Sequence, residues 1–343
     1  MTMLKRILVP LDGSTLAEQA LPLAARIARA TGGSVLLVRV VNALQQFGMY
    51  AREASPYLQE MVDEALMQAT VYLTQVATSK PLNGINTRIA VFSGSVAAHI
   101  LDIARDEQID LLVMSSHGYS DFKHWALGSI AQKVIRHSPV PVLLLRKQGH
   151  KLSGLSQKLP HPVRALVALD GSPFAEATAR PAAELVAALS TPARGEVHLM
   201  QLVKLPTVEE EMMCERVGLD VDFRQAALRE CGEYLQAVRE RLCREMGDAD
   251  TDITWSVEEC SDVAEALIAL AERGEGIALH QPSDLLVMAT HGRGGLQRWL
   301  MGSVTERALE HSSLPVLIVR PGEQAAKEPK ALYEETVQGV GQD

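Results

Sequence analysis

The chain has 343 residues, with 33 Lys and Arg against 42 Asp and Glu, a formal net charge of −9, and 4% aromatic residues. That balance excludes a dominant nucleic-acid surface, which needs a clustered positive field, and leaves few rings on which single-stranded bases could stack. No apolar run reaches the ~18 residues of a membrane span, and the length suits two ordinary domains.

Residues 7–11 form a short apolar run that stops at Asp12. Despite the preceding Lys5-Arg6 it is too short for the core of a signal peptide, so it reads as a first strand, and a cytoplasmic protein is expected. Asp12-Gly13-Ser14 turns the chain into a helix over about 15–30, with Leu16, Ala20, Leu23, Ala24 and Ile27 on one face. Gly32 then supplies a left-handed C-cap. A second strand is expected over 34–41 and a long helix over 58–78, striped by Met61, Leu66, Ala69 and Leu73. A third strand over 86–92, a helix over 95–105, a fourth strand over 110–114, a helix over 125–137 and a fifth strand over 140–145 follow. Short apolar strands alternating with helices predict a parallel sheet covered on both faces.

The chain then repeats itself. Asp110 begins D-L-L-V-M-S-S-H-G, nine residues, G-S, a helix and P-V-P-V-L-L-L-R; Asp284 begins D-L-L-V-M-A-T-H-G, nine residues, G-S, a helix and L-P-V-L-I-V-R. The D-G-S turn recurs at Asp170-Gly171-Ser172, and the second copy is 16 residues longer between its two motifs. Two copies of one supersecondary unit make chance an unlikely source. The expected organisation is a first domain over 1–148, a polar linker over 149–162, a second domain over 163–321 and a frayed tail over 322–343. In the second copy, strands are expected at 165–169, 197–203 and 251–258, and helices from Ser172-Pro173, over 223–246 and over 263–273. The acidic stretch 204–220 and the extra segment 274–282 read as loops. Cys214, Cys231, Cys243 and Cys260 make no C-x-x-C pair and read as reduced thiols.

In an open parallel sheet, ligands sit beyond the carboxyl ends of the strands, at the switch in strand order. Asp12 and Asp170 follow the first strands; Ser115 to Gly118 and Ala289 to Gly292 follow the fourth. An aspartate there can accept hydrogen bonds from a sugar or base, and glycines let backbone N–H groups approach phosphate. Gly128-Ser129 and Gly302-Ser303 open helices, whose N-termini favour anions. The bland alternative is structural: Ser129-Ile130-Ala131-Gln132 and Ser303-Val304-Thr305-Glu306 both read as capping boxes. His117 and His291 read as turn residues, since one histidine per copy is too few for a metal.

These motifs resemble the universal stress protein family, present here as two tandem copies over about 3–146 and 163–320. The nucleotide-binding members of that family carry G-x-x-G-x9-G-S/T after strand 4. The matches are Ser115-x-x-Gly118-x9-Gly128-Ser129 and Ala289-x-x-Gly292-x9-Gly302-Ser303, with Ser or Ala in place of the first glycine. The resemblance implies two five-stranded, Rossmann-like parallel sheets of order 3-2-1-4-5 with helices on both faces. It implies ATP, with or without Mg2+, between the strand 1 and strand 4 loops. Asp12 and Asp170 would contact the nucleoside, Val40 and Leu202 would line the adenine pocket, and the phosphates would lie on Gly118, Gly128 and Ser129 and on Gly292, Gly302, Ser303 and Val304.

Arg293-Gly294-Gly295 in the second copy suits a triphosphate better than Tyr119-Ser120-Asp121 in the first, although Ser261 stands where the first copy has Gly94. The second copy is therefore the better phosphate site. The expected function is a regulatory nucleotide-binding protein with at most weak ATP hydrolysis. The alternative is a scaffold that binds proteins or small ligands without nucleotide. An adenylating enzyme ranks last, because no glycine-rich loop follows strand 1. Strand 5 of each copy is expected to pair with its counterpart, and a homodimer of whole chains is compatible with that. Neither nucleic acid nor membrane is an expected partner.

Overall fold

Strands apolar on both faces need cover above and below, and the chain supplies it by alternating strand with helix. The computed structural model describes residues 4–42, 58–116, 127–146, 162–204, 213, 223–247, 251–274, 281–290 and 301–320. The first unit runs β1 (Arg6–Pro10), α1 (Thr15–Glu18), α2 (Ala20–Thr31), β2 (Ser34–Val41), α3 (Leu58–Ala77), β3 (Asn86–Ser93), α4 (Val96–Asp106), β4 (Leu111–Ser115), α5 (Ser129–His137) and β5 (Val142–Leu145). The second runs β6 (Arg164–Leu169), α6 (Pro173–Glu176), α7 (Ala179–Ser190), β7 (Gly195–Lys204), α8 (Phe223–Met246), β8 (Thr251–Cys260), α9 (Val263–Arg273), β9 (Leu285–Ala289), α10 (Ser303–His311) and β10 (Val316–Val319).

The ten strands among the described residues form one sheet, in the order β3-β2-β1-β4-β5-β10-β9-β6-β7-β8. Each half has the order 3-2-1-4-5 and is parallel throughout. The join is antiparallel, with Leu143 opposite Leu317 and Leu144 opposite Val316. Each unit thereby covers the exposed edge of the other, as expected from the strand 5 pairing. Alternate residues feed two cores. Ile7, Val9, Leu37, Val113 and Leu143 face α2, α3, α7 and α8. Leu8, Val38, Leu112, Met114 and Leu144 face α4, α5, α9 and α10.

The aspartate of the D-L-L-V-M motif has a structural task. Asp110 Oδ2 accepts from the Lys5 and Arg6 backbone N–H groups at 2.9 and 2.8 Å, and Asp284 Oδ2 accepts from Arg164 N at 3.0 Å. It ties the start of strand 4 to strand 1 in both units. Arginines tie the units together. Arg146, buried at the end of β5, donates to Leu309 O and, at 2.7 Å, to Glu310 O at the last turn of α10. Arg26 of α2 donates to Leu189 O near the end of α7. Both guanidiniums sit at helix C-termini, where the dipole favours a cation.

Three expectations need correction. The helix over 15–30 is two segments, broken at Gln19, whose N–H bonds back to Leu16 O and Ala17 O. The helix expected from 125 starts at Ser129, because Leu127 and Gly128 are not helical; 125 and 126 lie outside the described residues. Ser129 and Ser303 are not caps. The N-caps are Gly128 and Gly302, with φ/ψ of −59°/142° and −61°/141°, so each serine is the first helical residue and the capping-box reading fails. The expected linker, the acidic loop over 205–212 and 214–220, and the tail lie outside the described residues.

Candidate functional site

Strand 4 lies beside strand 1 in both units, with Leu112 level with Leu8 and Leu286 level with Leu166. The loops after these strands therefore leave the same sheet edge side by side, and β2 or β7 adds Val40 or Leu202 on the next strand over. Val40, Leu202 and Val304 are partly buried against the core on the α4, α5, α9 and α10 face. This brings Asp12, Val40, Ser115, Gly128 and Ser129 to one strand-end region, and Asp170, Leu202, Ala289, Gly302, Ser303 and Val304 to another. Gly118 and Gly292, with His117 and His291, lie outside the described residues.

The D-G-S turns have matching geometry. Asp12 Oδ1 accepts from Ser14 N at 2.9 Å and Ser14 Oγ at 2.6 Å; Asp170 Oδ1 accepts from Ser172 N at 3.0 Å and Ser172 Oγ at 2.6 Å. Each serine then caps the next helix, accepting from Ala17 N or Ala175 N. The glycine between stands at φ 89° (Gly13) or 81° (Gly171), a region open to glycine and costly for most residues. The turn thus fixes the carboxylate at the strand end by its own hydrogen bonds.

Each turn also has a tyrosine nearby that sequence reasoning passed over. Tyr72 donates to Glu18 Oε1 at 2.9 Å, and the Arg39 guanidinium lies 4.9 Å from the centre of its ring. Burial, and then the Glu18 carboxylate, push the Tyr72 phenol up. In the second unit burial, and then the Glu176 and Asp170 carboxylates, push Tyr234 up. Both phenols stay neutral; Tyr72 donates to its glutamate, whereas the buried Tyr234 hydroxyl makes no hydrogen bond among the described residues. The sequence signal was a Tyr on each long helix opposite a Glu four residues beyond each D-G-S turn.

The strand 4 ends are built alike. Gly128 N donates to Ser116 O at 3.0 Å and Gly302 N to Thr290 O at 2.9 Å, pinning each glycine cap against the strand it returns to. A glycine cap offers no side chain, so no side-chain cap hydrogen bond occupies either helix start. Ser115 and Ala289 replace the first glycine of the motif without strain. Gln108 is the only non-glycine residue with positive φ among the described residues, so neither position needs glycine's freedom.

The second unit is braced more firmly. Thr305 Oγ1 donates to Ala289 O at 2.9 Å in a buried bond, where the first unit has Ala131. Arg307 Nη1 reaches Asp262 Oδ2 at 2.6 Å, joining α10 to the start of α9. The Arg307 bond holds the Asp262 carboxyl below its usual range. Asp262 also caps α9 through Glu265 N, whereas the first unit enters α4 through Gly94 at φ 137°. Ser261 is therefore no loss, since the aspartate cap replaces the glycine turn. No group of three or more His, Cys, Asp or Glu suited to a metal occurs among the described residues.

The sequence model of the universal stress protein family matches residues 3–146 and 163–320. The chain belongs to the universal stress protein family. A universal stress protein of Mycolicibacterium smegmatis is 24% identical over 330 residues, covering 92% of this chain and 97% of that protein. One from Thermus aquaticus is 34% identical over 145 residues, 42% of this chain and 100% of that protein, the size of a single unit. The crystal structure of a universal stress protein from Archaeoglobus fulgidus aligns with a TM-score of 0.56 at 21% identity, over 92% of this chain and 98% of that one, a likeness of fold. No helix among the described residues of this universal stress protein is long and apolar enough to cross a membrane.

Proposed function

We propose that this universal stress protein is a regulatory binder of ATP or a related adenine nucleotide, acting in the stress response in the cytoplasm. The domains are 1–148 and 163–321, linked by 149–162, with 322–343 as a tail. The second unit is the stronger site. Asp170 takes the nucleoside, Leu202 lines the base pocket, and Gly292, Gly302, Ser303 and Val304 hold the phosphates, with Ala289 at the mouth. Asp12, Val40, Ser115, Gly118, Gly128 and Ser129 make the corresponding, weaker site.

The observation that carries this reading is the pair of glycine-capped helix starts, each pinned to the end of strand 4 beside an aspartate turn on strand 1. N–H groups of a first helical turn have no partner inside the helix and favour an anion. In each aspartate turn the serine hydroxyl is engaged in holding the carboxylate and capping the next helix, which favours binding over turnover. Mg2+ would arrive with the phosphates rather than on a protein ligand set. Acid extraction of the purified chain, followed by chromatography, tests the reading. Co-purifying adenine nucleotide supports it. Empty protein that also fails to bind added ATP leaves a non-nucleotide scaffold, built on the same paired domains, in its place.

A further inference from the structure

The antiparallel join of β5 and β10 sets the last turn of α5 beside the opening turns of α10. A residue of the first unit therefore stands next to the helix start of the second. That residue is Arg136. Its Nη2 lies 3.9 Å from Glu306 Oε1, and the two side chains are 30% and 48% exposed. A pair so long and so exposed is worth little in itself. Arg136 Nε is buried without a hydrogen-bond partner among the described residues, so the guanidinium is seated at its root while part of the side chain stays open to solvent. Glu306 is three residues beyond Ser303, one turn into α10, and helical side chains lean toward the N-terminus. The contact thus keeps Arg136 close to the first N–H groups of α10. Arg307, on the same turn, is already engaged by Asp262 at 2.6 Å.

The opposite charge stands at the matching place in the first unit. Arg136 and Glu310 hold the same position in α5 and α10, each eight residues after its glycine cap. Glu310 O accepts from Arg146 Nη2 at 2.7 Å, and Leu145, just before Arg146, accepts from Ser116 N at 2.8 Å, beside the Gly128 cap. Glu310 therefore flanks the helix start of the first unit. Arg146 is the cation there, but it is buried and its Nη groups are spent on the carbonyls of Leu309 and Glu310.

We infer that Arg136, supplied by the first unit, is a phosphate-binding residue of the second unit's nucleotide site, and that Glu310 denies the first unit the same contact. The inference rests on the nucleotide reading proposed above and adds to it a dependence of one site on both units. A guanidinium matches phosphate with two parallel N–H groups, and phosphate carries more charge than the Glu306 carboxylate, so the arginine exchanges a weak partner for a stronger one. With the helix start on one side and Arg136 on the other, the anion is held from two elements.

The test is a calorimetric titration of the full chain with ATP and Mg2+, in which the heat removed by Gly302→Val marks the second unit's site. Arg136→Gln should weaken ATP at that site about tenfold, the loss of one charge-assisted contact, and Arg136→Lys should recover part of it. Glu306→Gln should act in the opposite direction and tighten ATP about threefold, because it releases Arg136 and removes a negative charge. A merely structural ion pair would make both variants act alike. Unchanged affinity in Arg136→Gln, or a shift of the same sign in Arg136→Gln and Glu306→Gln, would overturn the inference and leave the nucleotide reading standing. No ATP heat in the wild type would overturn both.

Discussion

His198 makes stability of the second unit depend on pH; the first unit has Leu36 at the matching strand position. It lies on β7, 3% exposed, with Nδ1 2.8 Å from Thr254 Oγ1 and Nε2 2.8 Å from Ser256 Oγ of β8. Burial pushes its pKa down to about 4 from the ordinary 6.5; nearby Glu196 opposes that and Arg164 reinforces it. Between these values the unfolded ring binds a proton that the folded ring refuses. Stability present above 6.5 is therefore lost as pH falls toward 4. The loss is ~2 kcal/mol by about pH 5 and approaches ~3 kcal/mol at about pH 4. The assay is urea unfolding of the wild type and of His198→Gln, which keeps an amide between the two hydroxyls but cannot titrate. From about pH 7 to about pH 5 the wild type should lose ~2 kcal/mol more than the variant. Parallel losses would refute the reasoning, because every other titrating group is common to both proteins.

Four further substitutions probe the frame. Arg146→Met removes two hydrogen bonds from a charged donor to α10 while relieving the burial of that charge, so the net loss should be roughly 2 kcal/mol, read by denaturant unfolding. Ser172→Ala removes the cap of α6 and one partner of Asp170, and should lower stability by ~1 kcal/mol in the same assay. Gly33→Ala should cost more than Gly32→Ala in thermal unfolding. A Cβ at Gly33 would stand 2.5 Å from Lys5 O, which cannot move aside, whereas Gly32 opens onto empty space and costs only its left-handed backbone, about 1 kcal/mol.

A parallel sheet covered on both faces was legible from the alternation of strand with helix, which the repeat places twice, whereas its order 3-2-1-4-5 came only with the family resemblance that the motifs carry. Apolar strand 5 edges called for cover, and the family resemblance implied that the two copies supply it to each other as β5 and β10. Helix starts were less legible. Ser-x-x-Gln and Ser-x-x-Glu fit a capping box by spacing alone, yet a glycine one residue earlier can take the extended cap conformation equally well, and closure of Gly128 N and Gly302 N onto the strand end decides between them. The break at Gln19 leaves no mark, since the apolar positions keep their helical period across it. His198 stood in the run V-H-L-M-Q-L-V as a polar interruption. Its partners, Thr254 and Ser256, are fixed by the β7–β8 register, which no local pattern carries. Thr305 was read only as the interior of a capping box, because its acceptor, Ala289 O, lies on another element.

The most direct measurement is a calorimetric titration of the intact chain with ATP and Mg2+, run beside Gly302→Val and Gly128→Val. Gly302 and Gly128 hold φ near −60°, which any residue adopts, so both variants should keep the fold while their side chains crowd the helix starts. The account predicts saturable heat in the wild type that Gly302→Val abolishes and Gly128→Val reduces less. No heat from the wild type at millimolar ATP, or binding untouched by Gly302→Val, would contradict it.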